Sequence, residues 1–174
     1  RSTMRNFLIS IPFYLAIPPA IFLLFQAFGW ELSWRGIGFG ALGWTAALVL
    51  RGPVSILAQR VCGSPEKAQP WVVGSSGPLE ELVRYGILAW IGSSFGDALS
   101  IGLGWAAIEV LFAVVNGGIV VSIVQRDDAK AQEVRDVLTA QGLLDEKGPF
   151  LGIVERIFAS VGHIGFTLII AVSP

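Results

Sequence analysis

The sequence predicts an all-α polytopic membrane protein, with about five transmembrane helices and one short cytoplasmic amphipathic helix. Three observations carry this expectation. Of 174 residues, 53% are hydrophobic and only 14% are charged, whereas a soluble domain carries about a quarter charged residues. The apolar residues fall in blocks long enough to cross a hydrocarbon core, which takes about 20 residues at about 1.5 Å rise each. The Lys and Arg residues outside those blocks lie almost entirely in connections that share one side of the membrane.

The blocks run approximately over residues 6–28, 36–58, 79–98, 101–124 and 150–173, in a single helical transmembrane domain spanning 1–174. The first, "NFLISIPFYLAIPPAIFLLFQAFGW", carries no charge, and Pro12, Pro18 and Pro19 predict a kink in it. It is longer than the apolar region of a signal peptide and lacks a clear cleavage site. The second block is rich in glycine (Gly36, Gly38, Gly40, Gly43), which favours close helix packing, and Trp30, Trp34 and Trp44 near its start suit interfacial anchoring. Residues 59–78 read as a loop, and "GSSFGDALS" as a tight hairpin between blocks three and four.

Arg1, Arg5, Arg60, Lys67, Arg126, Lys130, Arg135 and Lys147 share one side, and only Arg35 lies opposite. The excess of positive charge places the N-terminus in the cytoplasm, and five spans place the C-terminus on the far side. The 125–149 loop holds the amphipathic helix: Val134, Leu138 and Leu143–Leu144 form its apolar stripe, Glu133 and Arg135 face water, and Gly142 or Gly148 ends it. A single cysteine, Cys62, excludes an internal disulfide, and a net charge of −1 offers nucleic acid no attraction. Membrane lipids are the partners that the composition itself implies.

Charges inside the blocks are the candidates for function, because an ionisable side chain at membrane depth is costly to keep. Glu80 and Arg84 stand at i,i+4 and Glu81 and Arg84 at i,i+3 on one helix. One ion pair needs one carboxylate, so the second is left to act as a general base on water or to assist the helix start. Glu109 lies eight residues inside block four, on a stripe with Trp105 and Asn116, and there it needs a partner or a proton. Block five places Arg156 and His163 on one face with Ser160 between them, while Glu155 points about 100° away. Arg51, near the cytoplasmic end of block two, reads as a residue that snorkels to the headgroups.

The segments "EELVR" (80–84), "GLGWAAIE" (102–109) and "ERIFASVGH" (155–163) resemble, in this order, the motifs of the YhfC-type glutamic intramembrane proteases. That family is similar to the wider CPBP group, which includes the CAAX prenyl endopeptidases. The resemblance covers roughly residues 77–170. It implies that Glu80 or Glu81 activates the hydrolytic water, Arg84 orients them, and Glu109, Arg156 and His163 complete the site, with His163 holding water or stabilising the oxyanion. Neither metal nor cofactor is required, the substrate is a membrane protein or peptide segment, and the location is a prokaryotic cell membrane. The chain departs from the family where Gly-His-Gly-Gly precedes the glutamate: Trp105 stands at the histidine, followed by Ala106 and Ala107. The resemblance also implies further membrane helices beyond Pro174. A catalytically inactive, protease-like subunit or scaffold within a larger membrane complex, held by partner subunits, is the alternative. A small transporter fits less well, because the chain shows no internal repeat.

Overall fold

A computed structural model describes residues 2–140 and 149–172. These residues form six helices: α1 (Ser2–Ala27), α2 (Trp34–Cys62), α3 (Pro65–Ile91), α4 (Phe95–Val124), α5 (Ala129–Ala140) and α6 (Pro149–Val172). No strand occurs among the described residues. Four helices, α1, α2, α4 and α6, are long and apolar enough to cross a membrane. α3 has the length but carries Glu66, Lys67, Glu80, Glu81 and Arg84.

The connections are shorter than the sequence suggests. Residues 59–78, expected as a loop, are almost wholly helical: α2 runs to Cys62, Gly63 closes it with φ +77°, and Ser64 caps α3 ahead of Pro65. Proline at the first helical position lacks only an N–H that would be orphaned there anyway. The expected hairpin 92–100 reduces to Gly92–Ser94, because Ser94 accepts a hydrogen bond from the Asp97 amide and starts α4 at once. α1 stays one helix through its three prolines.

Side-chain contacts give the helix directions. Arg51 meets Glu80 and Gly43 meets Ile87, so α2 and α3 are antiparallel; Glu109 meets Arg156 and Gly102 meets Ile164, so α4 and α6 are antiparallel. Phe7 lies against Gly117 and Tyr14 against Gly152, which places the start of α1 beside the end of α4 and the start of α6. The 28–33 and 92–94 connections therefore share one end of the bundle, and 63–64 and 125–128 share the other. Arg60, Lys67, Arg126, Lys130 and Arg135 gather at the second end, with Arg35 at the first. Arg1 and Lys147 lie outside the described residues.

Helix α2 packs on α4 through glycine. Gly36, Gly40 and Gly43, spaced i, i+4, i+7, face Ser100, Ile101 and the Trp105 ring, and Gly104 of α4 receives the backbone of Ile37 in return. Gly38 points off that face into open space. On the other side of α4, Gly102 admits Ile164 and Thr167 of α6. The buried residues of α4 all fall between Ala98 and Val110, and those of α2 between Gly36 and Ala47. The core thus occupies the half of the bundle nearer the 28–33 connection, and the other half is the more open.

α5 covers the end of α4. Asp128 accepts from the Ala131 amide at 2.9 Å and pairs with Arg126. Arg135 does not simply face water. It is half-buried and donates from Nη1 to the carbonyls of Val124 and Arg126, both at 2.7 Å, satisfying acceptors that a helix end leaves free. Gly142, Leu143, Leu144 and Gly148 lie outside the described residues.

Candidate functional site

Below the glycine interface, four helices turn charged side chains toward one another. α3 supplies Glu80, Glu81 and Arg84, α4 supplies Glu109, α6 supplies Arg156 and His163, and α2 adds Arg51. Five of the six expected residues form one chain. Glu81 accepts from Arg84, whose Nη2 stands 3.2 Å from His163 Nδ1. His163 Nε2 bonds Glu109, and the other oxygen of Glu109 accepts from Arg156 Nη1 at 2.8 Å. Arg156 Nη2 also reaches Glu155 at 2.6 Å, since a long, flexible side chain spans the angle between adjacent positions.

Glu80, the sixth, stands apart from Arg84 and pairs with Arg51. One turn of helix offers Arg84 two carboxylates, and the packing divides them: Glu81 stays with Arg84, and Glu80 turns to α2. Sequence reasoning missed Arg51. A helical hairpin turning at Gly63–Ser64 brings Arg51 and Glu80 within about one turn of the same height, but a 59–78 loop conceals that alignment.

The hydrogen bonds assign the imidazole. A guanidinium only donates, so His163 Nδ1 is the acceptor for Arg84 and Nε2 carries the proton given to Glu109. Arg84 is wholly buried, and its Cζ lies 4.3 Å from the centroid of the Trp105 ring, a cation–π contact. Trp105 is wholly buried too, and its indole N–H finds no acceptor among the described residues. Gly43 makes room for it: a Cβ there would stand 2.8 Å from the ring. Trp105 thus fills the middle of the charged layer, as its bulk predicts.

A cavity of about 450 Å³ opens beside this chain, lined by Trp44 and Arg51, Glu80, Glu109, Phe112, Ala113, Asn116, Gly117, Arg156 and His163. Glu81, Arg84 and Trp105 lie outside its wall. Within the cavity the two glutamates differ. Both oxygens of Glu109 are engaged, whereas Glu80 bonds Arg51 through one oxygen and makes no further hydrogen bond among the described residues. No group of three His, Cys, Asp or Glu side chains among the described residues stands close enough to hold a metal ion.

Comparison with protein-family models, curated proteins and solved structures found no match to this chain.

Proposed function

We propose that this chain is a glutamate-dependent intramembrane peptidase that cleaves membrane-associated protein segments, with Glu80 as its base. The observation that carries the reading is the cavity in which Glu80, Glu109, Arg51, Arg156 and His163 converge from four helices. Five ionisable side chains around one cavity at this depth are costly, and function is the default reason to keep them. The three motifs resembling the YhfC-type proteases point the same way.

In this reading Glu80 takes a proton from a water in the cavity through its free oxygen, while Arg51 fixes the other. The water attacks the peptide carbonyl carbon, and the oxyanion meets the guanidinium of Arg156, which has N–H groups beyond the two given to Glu109 and Glu155. Collapse breaks the C–N bond, and the proton on Glu80 passes to the leaving amine. Glu109, held at both oxygens, orients His163 and Arg156 rather than reacting. Glu81, outside the cavity wall, anchors Arg84.

The test is cleavage of a pool of membrane-protein segments by the detergent-solubilised protein. Glu80→Gln keeps the shape and removes the base, and should abolish cleavage; Glu81→Gln should retain a measurable rate. If Glu81→Gln is the dead variant and Glu80→Gln is active, the assignment is wrong. The closed pairing of every arginine in the layer, with Trp105 stacked at its centre, favours the second reading of an inactive scaffold within a membrane complex. A folded parent that cleaves nothing, but copurifies with a partner subunit, would select it.

The topology belongs with the reading: five crossings with α3 as one of them, the N-terminus cytoplasmic, and α5 on the cytoplasmic surface. Cys62, half-exposed and unique, reports on it. A membrane-impermeant thiol reagent should label Cys62 in inverted vesicles and leave it unlabelled in right-side-out ones. The opposite pattern would reverse the orientation.

A further inference from the structure

Trp105 stands where the family resemblance leads one to expect a histidine, and a tryptophan can serve neither as base nor as ligand. Its surroundings give it another task. Arg84 is itself wholly buried, with a single carboxylate partner, Glu81, and its Nε has no acceptor among the described residues. Its guanidinium also lies over the face of Trp105, with Cζ 4.3 Å from the ring centroid. The same ring lies 6.3 Å from the imidazole of His163, inclined by 40°. A guanidinium spread over a fixed aromatic plane has few orientations left, and in this one Nη2 meets His163 Nδ1 at 3.2 Å.

We infer that Trp105 is a positioning residue: it seats Arg84 so that Arg84 occupies Nδ1 of His163 and holds the imidazole in the Nε2–H tautomer. The consequence for chemistry rests on the hydrolytic reading above. With Nδ1 engaged by Arg84 and the Nε2–H given to Glu109, His163 offers the cavity no lone pair and cannot act as a base, and the base remains Glu80. The consequence for structure does not rest on that reading. Without the aromatic face, Arg84 loses its platform and Nδ1 loses its donor, so the Glu109 bond at Nε2 is the one contact left among the described residues to fix the proton, and the Nδ1–H form gains population.

His163 is the only histidine in the chain, so its ring nitrogens can be read without ambiguity. The experiment is nitrogen NMR of the full chain in detergent micelles with ¹⁵N-labelled histidine, on the parent, Trp105→Phe and Trp105→Leu, each followed also for peptidase rate. The parent should show a proton bonded to Nε2 and none on Nδ1. Trp105→Phe, which keeps an aromatic face, should keep that signature, and Trp105→Leu should show a mixture of tautomers. A parent with Nδ1 protonated overturns the inference even if no variant folds. So does a folded Trp105→Leu that retains the pure Nε2–H signature. An inactive parent with the expected signature, lost in Trp105→Leu, supports the positioning role and removes the hydrolytic reading alone. An active parent in which Trp105→Leu slows turnover, with the tautomer mixed, supports both.

Discussion

Replacing Gly104 with alanine drives a methyl group into the backbone of the neighbouring helix. The new Cβ would stand 2.7 Å from the carbonyl carbon of Ile37 and 2.9 Å from its Cα, against ordinary carbon–carbon contacts of about 3.5–4.0 Å. Backbone has no rotamer with which to move aside, so α2 and α4 must separate by about 1 Å, the shortfall from an ordinary contact. Gly36, Gly40 and Gly43 share that interface with Ser100, Ile101 and Trp105, so these contacts loosen together. Overpacking costs about 1–3 kcal/mol, and backbone against backbone belongs at the upper end. Alanine regains up to about 1 kcal/mol in helix propensity. The net destabilisation is therefore about 2 kcal/mol, or a Tm lower by about 4–8 °C for a chain of this size. The control is Gly38→Ala on α2, where an added Cβ meets nothing within 4 Å; it should leave Tm unchanged or raise it. The assay is thermal unfolding in detergent followed by tryptophan fluorescence, since Trp44 and Trp105 lie at the lower edge of this interface. Equal Tm values for Gly104→Ala and Gly38→Ala would refute the glycine-interlock reasoning.

Arg156→Gln removes the Nη1 bond to Glu109 and the Nη2 bond to Glu155, leaving a largely buried carboxylate with His163 alone. The expected loss is about 3 kcal/mol, at the lower end for breaking a buried pair because the side chains keep some exposure. A double-mutant cycle with Glu109→Gln should recover part of it, and strict additivity would show that the two are uncoupled. At the start of α5, the Ala131 amide and then Arg126 hold the Asp128 carboxyl below its usual range. Its folded value is lower than its unfolded one, so the support it gives α5 is present above the ordinary aspartate range. That support fades as pH falls through the lowered folded value, below about pH 4. Amide exchange in the first turn of α5 should accelerate there, and Asp128→Asn, which keeps the capping oxygen, should remove the acid sensitivity.

How much of this was legible in the residues differs from feature to feature. The glycine spacing at 36, 40 and 43 announces a close-packed face, and the helix that meets it is the one whose Gly104 answers. The charges of α3, α4 and α6 announce a polar centre, because each sits in a stretch otherwise too apolar to hold it. The first half of α3 reads as a loop in the sequence and is helix in the structure. Pro65, Pro70, "GSSG" and Pro78 all argue locally against helix, and packing against α2, where Ala68 is buried, overrides them. Arg51 suggests snorkelling for the same reason: its partner Glu80 comes within reach only because α3 extends back alongside α2.

The sequence by itself determined an all-helical chain with apolar helices able to cross a membrane, the approximate positions of the four most apolar ones, and the presence among them of acids, arginines and one histidine. Only the tertiary structure decided the pairing: Glu80 with Arg51, Glu81 with Arg84, His163 between Arg84 and Glu109, and Trp105 beneath the guanidinium. Periodicity reports which face of a helix a residue occupies, because that is set by local backbone geometry. The partner across the interface depends on which helix comes near, how close glycine lets it come, and at what height the two meet, and those distances exist only when the chain is packed.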